Sequence, residues 1–180
     1  DNYQRVDLAP CPVVRNKHGK IIMELPKPDL KRVYAAGWKA PERFSVKSAD
    51  GVTDLYGVMW KPFDFDSTKC YPIISYVYPG PQFEFVPTQF SLIHDRNTRL
   101  AQLGFIVISV GHRGGTPMRG KAYHTYSSGR LRDYPLADDK YAIEQLAQRY
   151  SLIDGKKDGI YGQSGGGFMA TAAICTYQDF

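Results

Sequence analysis

Asp158-Gly159-Ile160-Tyr161-Gly162-Gln163-Ser164-Gly165-Gly166-Gly167-Phe168 is the stretch that decides how this chain reads. Asp158 to Gly162 has the make-up of a short strand, and it runs straight into Ser164. From Phe168 to Tyr177 the sequence is Ala-rich and helix-forming. Gly162-Gln163-Ser164-Gly165-Gly166 fits G-x-S-x-G, a pattern too short to mean much alone. Its context makes it specific. A strand precedes it, a helix of small residues follows, and the turn between them leaves almost no room for side chains beside the serine. Gly162, Gly165, Gly166 and Gly167 meet that demand. Such a turn lifts the Ser164 hydroxyl above the sheet edge, where a helix N-terminus offers N–H groups and partial positive charge to an oxyanion. Ser164 is therefore the candidate nucleophile, and Gly162, Gln163 and Gly166 form its elbow. A phosphate-binding turn is the competing reading. No Lys-Ser/Thr pair follows the glycines as in a P-loop, and G-x-G-x-x-G does not fit.

Upstream of the elbow, two apolar runs read as strands buried on both faces: Tyr71 to Tyr78, and Phe105 to Val110. A Pro- and Phe-rich loop, Pro79 to Pro87, follows the first. A helix from about Gln89 to Leu103 is expected next, with Leu92, Arg96, Leu100 and Leu103 at helical spacing and Gly104 as its stop. After the second strand a Gly- and Arg-rich loop, His112 to Tyr134, leads to another helix with Leu136, Ile143, Leu146, Ala147 and Tyr150 on one face. Strand alternating with helix implies an α/β domain with a parallel sheet and right-handed crossovers. An antiparallel pair around Phe44–Ser48 and Leu55–Trp60 precedes it. Asp29 is expected to cap a short helix, Leu30 to Ala36, and Pro12 to Leu25 reads as a hairpin turning at Asn16-Lys17-His18-Gly19.

Composition narrows the function. The chain has 180 residues, room for one domain with a real core. Its net charge of +5 comes from scattered Lys and Arg, which reads as solvated surface, and nucleic acid is not an expected partner. Cys11, Cys70 and Cys175 are far apart without CxxC spacing, so neither a metal site nor a cofactor is expected. No apolar run is long enough for a membrane span, and the first residues do not form a signal peptide.

A serine hydroxyl needs a histidine oriented by a carboxylate. In the strand–elbow–helix arrangement the chain order is Ser, then Asp or Glu, then His. His18, His94, His112 and His124 all precede Ser164, no histidine follows it, and Asp179 is too near to serve. Half a triad is visible. His112 and His124 lie in a loop after a sheet strand, where packing imidazoles are the simpler reading.

The elbow, the segment Tyr76-Val77-Tyr78-Pro79-Gly80-Pro81, and Leu103-Gly104-Phe105-Ile106-Val107 leading to His112-Arg113-Gly114-Gly115 together resemble the prolyl oligopeptidase family of serine peptidases, its dipeptidyl peptidase IV branch most closely. The resemblance covers roughly residues 29 to 180. It implies an α/β-hydrolase fold, of which 29–180 would be the N-terminal part of a mostly parallel sheet, ending before the catalytic Asp and His. The hairpin segment, 1–28, would be the tail of a β-propeller. By position, Ser164 takes the nucleophile's role, the Gly165 N–H is one oxyanion donor, and the Tyr78 hydroxyl is the other. Read from residues alone, Tyr78 is a ring at the C-terminal end of a buried strand, where α/β sheets place ligand groups and also packing rings. The resemblance implies peptide substrates, short and cut after proline, and a periplasmic or secreted address. It leaves a homo-oligomer of a longer protein open. The sequence departs from that branch at Gly165, where a Tyr is usual, and at Gly111-His112-Arg113-Gly114, where Asp-x-Arg-Gly is usual. An esterase, or a non-catalytic interaction domain of the same fold, is the alternative. The chain made alone is expected to be inactive.

Overall fold

The computed structural model describes residues 1–80, 84–129, 133–177 and 180, with backbone alone at 95, 133 and 134. Pro81, Asp179 and the stretch 130–132 of the Gly- and Arg-rich loop lie outside the described residues. Among those described, no helix is long and apolar enough to cross a membrane.

At the N-terminus the expected hairpin forms from β2 (Leu8–Arg15) and β3 (Ile21–Glu24). Asn16 closes its turn by accepting the N–H groups of His18 and Lys20 on its side-chain oxygen, at 2.9 and 3.1 Å. A further strand, β1 (Asn2–Arg5), pairs with β2 and makes a three-stranded antiparallel sheet. Local sequence gives no sign of β1. Asn2-Tyr3-Gln4-Arg5 carries no apolar alternation, and its pairing with Pro12 and Cys11 holds it.

The short helix α1 (Lys31–Ala35) follows, with Asp29 Oδ1 accepting the Lys31 N–H at 3.0 Å. Five strands then form the main sheet: β4 (Glu42–Lys47), β5 (Asp54–Trp60), β6 (Tyr71–Tyr76), β7 (Ile106–Val110) and β8 (Ile153–Tyr161). Their order is β4-β5-β7-β6-β8. The β7–β6 and β6–β8 pairs are parallel, whereas β4–β5 and β5–β7 are antiparallel. The sheet described is therefore mixed. The antiparallel pair precedes the parallel strands in the chain, as expected, and in space it joins their edge through β7.

Two helices cover opposite faces, and strand alternation decides which residues meet each. Ile106 and Ile108 turn to the face where α4 (Asp133–Arg149) lays down Ile143 and Leu146, all of them almost wholly buried. Each such side chain contributes about 1.5–3 kcal/mol by leaving water. Val107, Val58 and Trp60 face the other way, against Ala101 and Leu100 of α2 (Asp95–Gln102). That helix begins later than the expected Gln89. The Leu92 carbonyl accepts the Trp38 indole N–H at 2.6 Å, and the Ser91 hydroxyl donates to the Ile93 carbonyl at 2.7 Å. These bonds take the carbonyls a helical ladder would need. β8 is longer than expected because a bulge splits it: Pro72 pairs with Asp154, and the next residue, Ile73, with Asp158. The Gly-Lys-Lys run inside that bulge reads as loop in sequence.

Candidate active site

β8 ends at Tyr161, and α5 (Gly165–Thr176) begins four residues later. Ser164 lies between them, exposed, at φ 54° and ψ −118°. It is the only non-glycine residue at positive φ among those described. Such a conformation costs about 1–3 kcal/mol and persists only where the surroundings impose it. The end of β6 imposes it here. A Cβ on Gly162 would lie 2.4 Å from the Val77 carbonyl oxygen, and one on Gly166 only 2.1 Å from the same atom. Val77 is tied to β8 by its N–H, which donates to the Tyr161 carbonyl at 2.9 Å. The turn is closed by the Gly166 N–H donating to Gln163 and the Phe168 N–H to Ser164, at 2.8 and 3.0 Å. Gly162 and Gly166 are thus required by contact. Gly165 is not: a Cβ there would meet nothing nearer than 3.8 Å, so the backbone would accept a larger residue.

Tyr78 stands two residues past β6 and is half-buried. Its Cα lies 3.6 Å from where a Gly166 Cβ would be, which sets it beside the first turn of α5. Its ring stacks on Phe85 at 5.0 Å. The fold thus brings Tyr78, Gly165 and Ser164 to one end of the parallel strands. A cleft of about 640 Å³ opens beside Gln163, bordered by Tyr76, Phe85, Phe90 and Asn97.

The histidines have other surroundings. His18 sits in the exposed hairpin turn. His94 packs its ring 5.5 Å from that of Trp60, and burial lowers its pKa. His124 ends α3 (Lys121–His124), with Nδ1 3.3 Å from the Gly115 carbonyl. His112 is buried, and burial pushes its pKa down to about 4 against the opposing charge of Asp138. At neutral pH it is an uncharged ring packed near Tyr78, Val110 and Met169.

Two buried polar clusters escaped the sequence reading. Arg113 donates to both oxygens of Asp138 at 2.8 and 3.1 Å, and also to Asp50. Asp138 in turn accepts the Ala49 N–H at 2.9 Å, so this cluster ties α4 to the β4–β5 turn. Hydrogen bonds from Ser48, the Val52 N–H and Arg113 hold the Asp50 pKa down to about 2. The neighbouring Asp139 is buried and accepts the Ser75 hydroxyl at 2.7 Å. Burial pushes its pKa up to about 7, helped by the charges of Asp138 and Asp158. A signal for Asp139 was available: it lies three residues after Leu136 and four before Ile143, inside the apolar stripe of α4.

The model of the prolyl oligopeptidase family matches residues 91–180. Dipeptidyl peptidase 8 of Homo sapiens is 34% identical over 140 residues, which are 77% of this chain and 15% of that protein. Among solved structures, a protein assigned as a dipeptidyl aminopeptidase IV from Bacteroides ovatus superposes with a TM-score of 0.80 at 28% identity, over 99% of this chain and 25% of that one. Porphyromonas gingivalis dipeptidyl peptidase 4 superposes with a TM-score of 0.77 at 24% identity, over 97% of this chain and 25% of that one, and attests the fold. The chain belongs to the prolyl oligopeptidase family. Its relatives lie in the dipeptidyl peptidase IV-like branch, and it spans between about a sixth and a quarter of their length.

Proposed function

We propose that this chain supplies the nucleophile half of a serine peptidase that hydrolyses short peptides, with cleavage after proline as its finer specificity. Residues 29–180 are read as the N-terminal part of an α/β-hydrolase domain, and 1–28 as the last strands of a β-propeller. Ser164 is the nucleophile. Its hydroxyl gives up its proton to a histidine and its oxygen attacks the scissile carbonyl carbon. The oxyanion that forms is received by the Gly165 N–H, at the first position of α5, and by the Tyr78 hydroxyl. The amine then leaves with that proton, and water releases the acyl group from Ser164. The histidine and its carboxylate partner come from sequence outside these 180 residues.

The observation that carries this reading is Ser164 itself: an exposed serine held at positive φ on a strand-to-helix turn, between two glycines pressed against Val77. The test is labelling of the gene product that carries these residues with a fluorophosphonate probe. Stoichiometric labelling that Ser164→Ala abolishes, with turnover of an Xaa-Pro substrate, is the expected result. An unlabelled protein, or labelling that survives Ser164→Ala, refutes it.

A further inference from the structure

Glu84 fills a space that two glycines leave for it. A Cβ on Gly111 would lie 1.9 Å from Glu84 Oε1, and one on Gly115 would lie 3.4 Å from the Glu84 Cα and Cβ. The segment just after β7 is thereby a socket, and the Glu84 side chain is its plug. Inside it the Tyr123 hydroxyl donates to Glu84 Oε1 at 2.6 Å. The Gly114 N–H holds Tyr123 in turn, donating to its carbonyl at 2.7 Å. The Arg119 guanidinium lies over the Tyr123 ring at 4.2 Å, 5.0 Å from the Tyr56 ring, and its charge favours the Glu84 carboxylate. Burial acts the other way and leaves the Glu84 pKa raised. A carboxyl group enters such a place only where donors meet it, and here they do.

The next residue reaches the active site. The Phe85 ring stacks on Tyr78 at 5.0 Å with 30° between planes, and meets Tyr76 edge-on at 5.1 Å. Its carbonyl accepts the Ser109 hydroxyl at 3.4 Å. Glu84 in its socket thus anchors the backbone directly before the ring that stacks on Tyr78. We propose that Glu84 is a positioning residue: seated in the Gly111–Gly115 socket, it fixes Phe85, and through Phe85 the Tyr78 ring whose hydroxyl meets the oxyanion. The inference rests on the functional reading above, in which Tyr78 is that donor.

The test uses the gene product that carries these residues and a chromogenic Xaa-Pro substrate. Glu84→Ala should lower kcat roughly ten- to hundredfold with KM little changed, the scale of a small misplacement at a catalytic group. Glu84→Gln keeps the length and an acceptor for Tyr123, and should retain most of kcat. Combined with Tyr78→Phe, Glu84→Ala should cost far less than the product of the two single losses, because both act through one hydroxyl. Should Glu84→Ala not fold, Tyr123→Phe, which removes the donor and keeps the ring, should give the same loss and the same coupling to Tyr78. Losses that multiply fully, or a lowered melting temperature with kcat unchanged, would overturn the role of Glu84 while Ser164 still labels. Absence of labelling in the parent protein would overturn the functional reading, and this inference with it.

Discussion

At Tyr78 a single oxygen atom separates an oxyanion donor from a packing ring. The ring already has a partner in Phe85, so removing the hydroxyl leaves the stacking intact. Tyr78→Phe should therefore fold normally and lose on the order of 2.7–4 kcal/mol of transition-state stabilisation, roughly a hundred- to thousandfold in kcat. Steady-state turnover of an Xaa-Pro peptide by the gene product that carries these residues measures it, and an unchanged kcat would return Tyr78 to packing alone. The glycines beside Ser164 show how far a residue-scale reading reaches. All four are small, yet only Gly162 and Gly166 are pressed by the Val77 carbonyl, while Gly165 has space. The atom that distinguishes them belongs to Val77, one residue past β6 and more than eighty positions upstream.

At the scale of an element, α4 carries a carboxylic acid in its apolar stripe. Asp139 has a folded-state pKa of about 7, raised by burial from the usual carboxylate value. Between about pH 4 and 7 the folded chain therefore holds a proton that the unfolded chain has released. This contribution to stability is fully present below pH 4, falls as pH rises through that window, and is gone above about pH 7. His112 has the opposite sense. Its folded pKa of about 4 lies below the ordinary value, so its contribution is lost as pH falls from about 6.5 to 4. The two offset each other in the parent, and the difference between parent and variant isolates Asp139. Asp139→Asn keeps an oxygen for the Ser75 hydroxyl and removes the charge. Relative to the parent it should gain on the order of 1–4 kcal/mol as pH rises from 4 to 8, measured by urea unfolding at each pH. A difference independent of pH would mean that Asp139 is not the titrating group.

For the molecule as a whole, the strand that delivers Ser164 is the outermost of the five described. Beside it Ile74, Leu100, Leu103 and Ile160 line an apolar groove, with Leu103 74% exposed. An open edge next to an apolar groove favours pairing with another chain. The 180 residues made alone should accordingly self-associate, seen by sedimentation or light scattering. Without a base in the expected chain order, they should neither label with fluorophosphonate nor turn over an Xaa-Pro substrate. Stoichiometric labelling with turnover would place the base among His94, His112 and His124.

Features that depend on neighbours along the chain are legible before folding. Strand patterning from Phe105 to Val110, the apolar stripe of α4, the Asn16 turn and the G-x-S-x-G elbow are local, because backbone preference and side-chain period act over a few residues. Tertiary structure decided whatever depends on which distant atoms meet. It started α2 late, because Trp38 claims a carbonyl 54 positions away. It held β1 through its pairing with β2 and joined an antiparallel pair to the parallel strands through β7. It also matched Glu84 to Gly111 and Gly115, glycines that in sequence look like ordinary loop residues. Periodicity says which face of an element is apolar. Only packing says what that face, or a gap in it, will touch.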